Sequence, residues 1–425
     1  MKIILDRFLK NVAVVASGNV MAQFIFFIST IILVRIFEPD SFGLLAVFSA
    51  TVGIFSAIIN LRYDQAIVIE KSFEHAFLIL YLCIIFSIVF FSFSLIVIFL
   101  FENKIASLLS FDISKNLTFL IPFYILFYGF FLALNQWATR QKYFYLIASY
   151  HIIRALVICL TQIVLGFLGL GGAWLVIGFV FGQSVSSIYF FAKIYVSDSS
   201  FFKSLKIDIT KVFHLTKKYK KFAHFSTPQT LFNSLSLYLP SLILAAFFSP
   251  AIVGTYYLTL RVLQAPSTLL GQAIRQPFYK EVNEIINEGS SPRAFFFKYT
   301  IALFIIGLII FTPIILFGPE IFKFFFGEAF RLSGTFGQWI SLWLWATLAN
   351  IPAICTLHAI QALKELFVWE LSLFILRIGG LFYFSLTGSA STAIAVFSII
   401  GMVFNLFIIY FTIYKLKSFN KLPNA

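Results

Sequence analysis

Long apolar runs fill this chain nearly end to end, and the polar residues between them come in short clusters. A helix that crosses a bilayer needs about 20 mostly apolar residues. On that measure the pattern predicts twelve spans, at 11–37, 42–69, 76–101, 117–138, 147–168, 172–196, 222–248, 252–279, 294–318, 334–362, 365–387 and 389–414. The longest polar break, 199–221, separates an N-terminal lobe of six predicted helices (1–198) from a C-terminal lobe of six (222–425). Pro240, Pro313 and Pro352 lie inside predicted spans and predict kinks, because each removes a backbone donor. The first apolar run is too long for the core of a secretory signal, so no cleavable leader is expected.

Sliding the chain on itself by 211 positions brings 37–43 (FEPDSFG) onto 248–254 (FSPAIVG). Pro39 then falls on Pro250 and Gly43 on Gly254, each at the turn between the first two helices of its half. A Pro-x-x-x-Gly match is a short signal, and its weight comes from its shared place in two six-helix halves. Either the halves are parallel repeats related by an axis along the membrane normal, or two membrane hairpins agree by chance. The fold class expected is an all-α integral membrane protein of about twelve transmembrane helices in two parallel six-helix repeats.

Charge then gives an orientation. With the N-terminus inside, the inward-facing segments hold 23 Lys and Arg, and the outward turns hold five: Arg35, Lys104, Lys115, Lys323 and Arg331. Cytoplasmic loops carry such an excess, and an odd number of spans would destroy it. Both termini and the 199–221 linker are therefore expected in the cytoplasm. The net charge of +14 reads as a topology signal, and no nucleic-acid partner is expected. Lys217, Lys218, Lys220 and Lys221 anchor that topology or, on a second reading, attract anionic headgroups. A mean hydropathy of +0.97 with 11% charged residues leaves no room for a soluble domain, so function is exercised inside or across the bilayer.

The sequence offers little for catalysis. Cys83, Cys159 and Cys355 are solitary, which excludes a CxxC metal site. The five His have no ligand spacing, and no GxxxxGK[ST] phosphate loop is present. Gly169, Gly171 and Gly172 form a turn between spans five and six, with no strand before them. No cofactor and no catalytic or metal site are expected, and the chain is not expected to be an enzyme.

Polar residues inside the spans are the remaining chemistry. At 100° per residue, Arg261, Gln264, Thr268, Gln272 and Arg275 share an arc of about 80° on span eight. A charge at the bilayer centre costs at least about 2.5–3.5 kcal/mol, so such a stripe should face a wet cavity or a partner. Arg275 has a second reading, as an interfacial side chain that snorkels. The 211-position shift maps this stripe onto Ala50, Gly53, Ala57, Leu61 and Asp64. That small face either widens a cavity wall or lets helices pack closely. Asn19 and Gln23 in span one, Gln229 and Asn233 in span seven, Arg154 in span five and Arg377 in span eleven complete the set. Glu370 is the acid set deepest in a span and shares a helix face with Arg377. It either carries a proton or neutralises Arg377 or a neighbouring cation.

Residues 221–281 carry Pro228 and Asn233, Gly254 and Tyr256, Arg261–Leu263 with Pro266, and Gly271–Ala273. The first half adds LVRIFEPDSFG at 33–43 and LRYDQAIVIEKSFEHA at 61–76. In these motifs the chain resembles the polysaccharide-transporter branch of the multidrug/oligosaccharidyl-lipid/polysaccharide exporter superfamily, the O-antigen and capsule-unit flippases. Asp64 stands where that pattern has Glu, and Glu70 where it has Pro, so the turn there is expected to differ. The resemblance implies a V-shaped transporter bundle in the bacterial inner membrane. It implies transport of an undecaprenyl-pyrophosphate-linked oligosaccharide from the cytoplasmic to the periplasmic leaflet, by alternating access coupled to an ion gradient. Its partners would be that cargo, membrane lipid, and the polymerase and chain-length proteins of the same pathway. Arg261, Arg275, Arg154, Arg377 and Arg62 would then meet the anionic head, with Gln264, Gln272, Asn233 and Gln23 on sugar hydroxyls, and Glu370 or Asp64 would couple the ion. The alternatives are a multidrug/cation antiporter of the same fold, for which the deep charges have the wrong sign, and a polytopic O-antigen polymerase or glycosyltransferase. The latter needs a sizeable external loop, and the outward turns near 102–116 and 319–333 are each only about 15 residues long.

Overall fold

The structure is a computed structural model that describes residues 2–108, 115–199 and 208–419, with side chains from 14–104, 116–199 and 208–417. Lys2, Arg7 and Lys10, and the 200–207 portion of the linker, lie outside the described side chains. Among the described residues the secondary structure is helical throughout. In chain order the helices are α1 (Lys2–Ile36), α2 (Pro39–Ser56), α3 (Asp64–Ile69), α4 (Phe73–Leu108), α5 (Leu120–Arg140), α6 (Phe144–Phe167) and α7 (Ala173–Ser197). There follow α8 (Ile209–Lys218), α9 (Thr227–Phe247), α10 (Pro250–Asn287), α11 (Arg293–Phe326), α12 (Arg331–Ala349), α13 (Ile351–Ala359), α14 (Leu363–Thr387) and α15 (Ala390–Phe419).

Eleven of the described segments are long and apolar enough to cross a membrane, one fewer than expected. The missing one is span eight. Its helix is present as α10, with 38 residues, but the Arg261–Arg275 stripe and further charges lower its hydropathy below that of a lipid-facing helix. Two other spans are broken. The predicted span 42–69 ends as a helix at Ser56, turns through residues 57–63, and restarts as α3. Leu61 and Arg62 there have φ of 45° and 60°, a left-handed conformation that L-residues with side chains adopt rarely. Leu61 and Asp64 are therefore not on the face that holds Ala50 and Gly53. The predicted span 334–362 divides at Asn350 into α12 and α13, with Pro352 in the first turn of α13. Pro240 and Pro313 stay within continuous helices, and α11 instead breaks at Phe317 (φ −126°, ψ 26°). Pro319 lies two residues on. Its missing N–H frees the Ile315 carbonyl, which accepts a 2.9 Å hydrogen bond from Gln338 Nε2 on α12.

By contacts the chain forms two compact units, Met1–Gly254 and Thr255–Ala425. In the first, α1 packs on α6, α6 on α7, α5 on α4 and α7, and α9 on α2. Its core gathers Tyr63, Phe77, Trp137, Tyr150 and Phe190. In the second, α11 packs on α12 and α15 on α12 and α14. There Gly318 and Gly334 allow backbone-to-backbone approach: a Cβ on either would strike the other's carbonyl group.

Equivalent features recur in both halves. The turn into α6 places Lys142 at φ 62° and Tyr143 at φ −80°, ψ 52°, and the turn into α14 places Gln361 at φ 57° and Ala362 at φ −76°, ψ 49°. The Tyr143 N–H donates to the Ala138 carbonyl at 2.8 Å and the Ala362 N–H to the Leu357 carbonyl at 2.9 Å, five residues back in each case. Phe101 in α4 (φ −123°, ψ 23°) matches Phe317 in α11, and a short 3₁₀ turn follows each, Lys115–Phe119 and Glu328–Phe330. The two copies of the Pro-x-x-x-Gly motif also meet. A Cβ on Gly43 would collide with the Pro250 carbonyl, and one on Gly254 with the Pro39 carbonyl. The first turns of α2 and α10 thus cross with no side chain between them.

The basic linker is partly a docked helix. Asp208 caps α8 by accepting from the Thr210 and Lys211 N–H groups at 2.9 and 3.4 Å. Leu215, 2% exposed, inserts into the core of the first unit, with Val212 and Tyr219 packed beside it.

Candidate functional site

In the first unit the polar residues of α5, α6 and α7 converge on Arg154. Its Nε donates to Gln183 Oε1 at 2.6 Å, and its Nη2 reaches the Tyr124 hydroxyl at 3.4 Å. Gln183 is fixed in turn, since its Nε2 donates to the Tyr150 hydroxyl at 2.9 Å and to Ser187 Oγ at 3.0 Å. The Ser187 hydroxyl donates to the Phe127 carbonyl at 2.8 Å. An aromatic wall adjoins this network. Tyr124 stacks on Phe179 at 5.0 Å and on Tyr128 at 5.7 Å, and the Arg154 guanidinium lies 5.7 Å from the Phe179 ring. A half-buried guanidinium beside stacked rings can take a phosphate by its fork and a sugar ring by its faces.

Sequence reasoning identified Arg154 and missed its companions. Tyr124 and Tyr128, Tyr150 and Arg154, and Gln183 and Ser187 are each four residues apart, so each pair shares a helix face. That spacing is the signal that could have found them.

Near the turn after α2, Asp64 is 2% exposed and accepts from the Gln136 side chain. Arg62 is half-buried, with its Nε lacking a hydrogen-bond partner. Of the small face on α2, Ala50, Gly53 and Ala57 are buried, and a Cβ on Gly53 would lie 2.5 Å from the Tyr238 ring of α9. At Gly53 the face serves close packing. Asn233 and Gln23 are exposed, on α9 and α1.

Below this cluster Glu70 ties the linker down. Its carboxylate, 5% exposed, accepts from Lys218 Nζ, from the Tyr219 hydroxyl at 2.7 Å and from the Ser72 N–H at 3.1 Å. Burial alone would raise this carboxyl, but those hydrogen bonds outweigh it and hold it down at about 2. Arg140 donates to the Ile67, Glu70 and Lys71 carbonyls and closes the end of α3. The departure from Pro to Glu thus supplies an anchor for α8.

In the second unit Arg377 is held between two rings, its guanidinium carbon 3.6 Å from the centroids of both Trp343 and Phe397. Its Nε donates to the Phe397 carbonyl at 3.0 Å, and its Nη2 is buried without a hydrogen-bond partner. The expected pairing with Glu370 is not formed. Two helical turns separate them by about 10 Å, the guanidinium turns toward α15, and Glu370 is exposed on α14. On α10, Arg261 and Gln264 are half-buried, whereas Thr268, Gln272 and Arg275 are exposed, so the stripe opens progressively along the helix. Arg154 and Arg62 belong to one unit and Arg261, Arg275 and Arg377 to the other.

The fold is that of known transporters. An inward-facing multidrug resistance MATE family transporter superposes with a TM-score of 0.73 at 12% identity, over 97% of this chain and 100% of its own. The lipid II flippase MurJ superposes with a TM-score of 0.63 at 14% identity, over 99% of this chain and 90% of its own. A transporter of the same superfamily from Pyrococcus furiosus, described by the reversed polarity of its binding pocket, gives 0.59 at 12% identity and 97% coverage of both chains. No curated protein sequence matches this one. The model of the polysaccharide biosynthesis protein family matches residues 32–333, well over half of the chain and both sides of the linker, and the chain therefore belongs to that family.

Proposed function

We propose that the protein is a flippase that moves an undecaprenyl-pyrophosphate-linked oligosaccharide from the cytoplasmic to the periplasmic leaflet by alternating access. The observation that carries this reading is the set of deep arginines without acids. Among the described residues, Arg154 and Arg377 have no carboxylate within ion-pair distance, whereas Arg62 lies in the field of the buried Asp64. Uncompensated cations at membrane depth suit an anionic pyrophosphate and oppose a cationic drug. The aromatic wall beside Arg154 suits sugar faces, and the family membership supports a polysaccharide cargo. The protein acts without catalytic chemistry of its own, in the bacterial inner membrane.

A strain lacking the gene decides between transport and synthesis. Lipid-linked units should accumulate, complete, on the inner leaflet. Failure to make the unit at all would indicate a transferase, and unchanged export would remove the protein from the pathway. Arg261→Ala should abolish export with normal insertion, and Arg261→Lys should restore part of it.

Ion coupling falls to Asp64 rather than Glu370 in this reading, because Asp64 is the buried acid of the two. In proteoliposomes with an imposed pH gradient, Asp64→Asn should stop gradient-driven transport, while Glu370→Gln should retain it. The reverse result would return the role to Glu370.

A further inference from the structure

Helix α8 and the turn after it carry five lysines, and the structure divides them. Lys211 pairs with Glu74 at 2.8 Å and Lys218 pairs with Glu70, so these two hold the helix against the protein. Lys217, Lys220 and Lys221 are exposed, and among the described residues they have no carboxylate within ion-pair distance. Beside them stand two apolar side chains turned away from the core, Ile209 at 79% and Phe213 at 62% exposure. Ile209, Phe213 and Lys217 follow at four-residue spacing and share one face, distinct from that of Val212, Leu215 and Tyr219. Lys217 Nζ lies 4.8 Å from the Phe213 ring centroid, so apolar stripe and charge form one patch.

We propose that the outer face of α8 is a binding surface for anionic lipid headgroups of the adjoining leaflet. Ile209 and Phe213 enter the headgroup–acyl boundary, and Lys217, Lys220 and Lys221 hold lipid phosphates. An amphipathic helix with lysines beside its apolar face binds membranes by both terms at once. The division of the lysines carries the argument. If the basic run served topology alone, the unpaired lysines would have no reason to flank exposed Ile209 and Phe213. The surface goes beyond the transport reading and rests only on α8 facing a leaflet, because its test needs no cargo.

The probe is bimane on Ile209→Cys, in the full chain with Cys83, Cys159 and Cys355 changed to Ala. The protein is placed in nanodiscs of phosphatidylcholine with or without phosphatidylglycerol, one lipid at a time brominated near the carbonyl. Brominated phosphatidylglycerol should quench the probe well beyond its share of the bilayer. The triple change Lys217→Gln, Lys220→Gln, Lys221→Gln should lower that enrichment by about tenfold or more, given the attraction of three surface lysines. Native mass spectrometry of retained lipid on the chain with its cysteines intact gives the same comparison without the probe. Equal quenching by the two lipids, or a preference that survives the triple change, overturns the proposal. So does displacement of the brominated lipid by millimolar inorganic phosphate, which would make this a site for soluble anions.

Discussion

Arg154 donates from Nε to one amide and from Nη2 to one phenol, which leaves Nη1 to whatever enters beside it. Arg154→Lys should therefore keep the charge and lose the fork, giving partial export in the deletion strain. Gln183→Leu should weaken transport without removing the arginine, because the guanidinium then has one fixed contact in place of two. A rate unchanged by Gln183→Leu would end its positioning role. In the second unit Gly401 makes room for the ring-held arginine. A Cβ there would lie 2.8 Å from Trp343 Cδ1 and 3.2 Å from the Arg377 guanidinium carbon. Gly401→Ala should lower stability by about 1–3 kcal/mol, the usual cost of overpacking, read as a fall in Tm. Arg154 and Arg377 were legible in the sequence because a charge within an apolar run stands out. Tyr124, Tyr128 and Phe179 were not, because a chain with 58 Phe and 18 Tyr places rings nearly everywhere.

Most helices lie where the hydropathy pattern puts them, since lipid demands long apolar segments with internally paired backbones. The departures arise where local geometry overrides hydropathy. The break between α2 and α3 has no Gly or Pro to announce it, and its left-handed residues are Leu61 and Arg62. The docking of α8 was equally hidden, because nothing in the residues alone separates Val212 and Leu215, which pack on the core, from Ile209 and Phe213, which do not. Its tie to Glu70 yields a pH prediction. The folded carboxyl sits at about 2, below its ordinary value of 4.5. The stability it contributes is therefore complete above about pH 4.5 and is lost as pH falls through about 2. Glu70→Gln should reproduce the acid state at neutral pH. Amide exchange in α8 should then quicken by roughly tenfold, the worth of a charge-assisted hydrogen bond. Exchange in α12, in the other unit, should be unchanged.

At the scale of the molecule, the chain belongs to the polysaccharide biosynthesis protein family and has the fold of solved transporters, and its orientation is read from charge. Ser199→Cys, in a chain free of other cysteines, should resist labelling from outside intact cells, and ready external labelling would invert the topology. The repeat has a firmer footing than its sequence signal, because turns, helix breaks and 3₁₀ segments recur in both halves. Only the Pro-x-x-x-Gly copies could be read from residues alone, and their contact explains why. Gly43 and Gly254 each occupy space bounded by the other copy's backbone. Gly43→Val or Gly254→Val should force the first turns of α2 and α10 apart and lower Tm. Combining the two should cost less than their sum, because the first wedge has already opened the gap for the second. At this crossing a side chain gained by one copy has no room unless the other copy's backbone yields, so neither glycine can be replaced without its counterpart feeling the change.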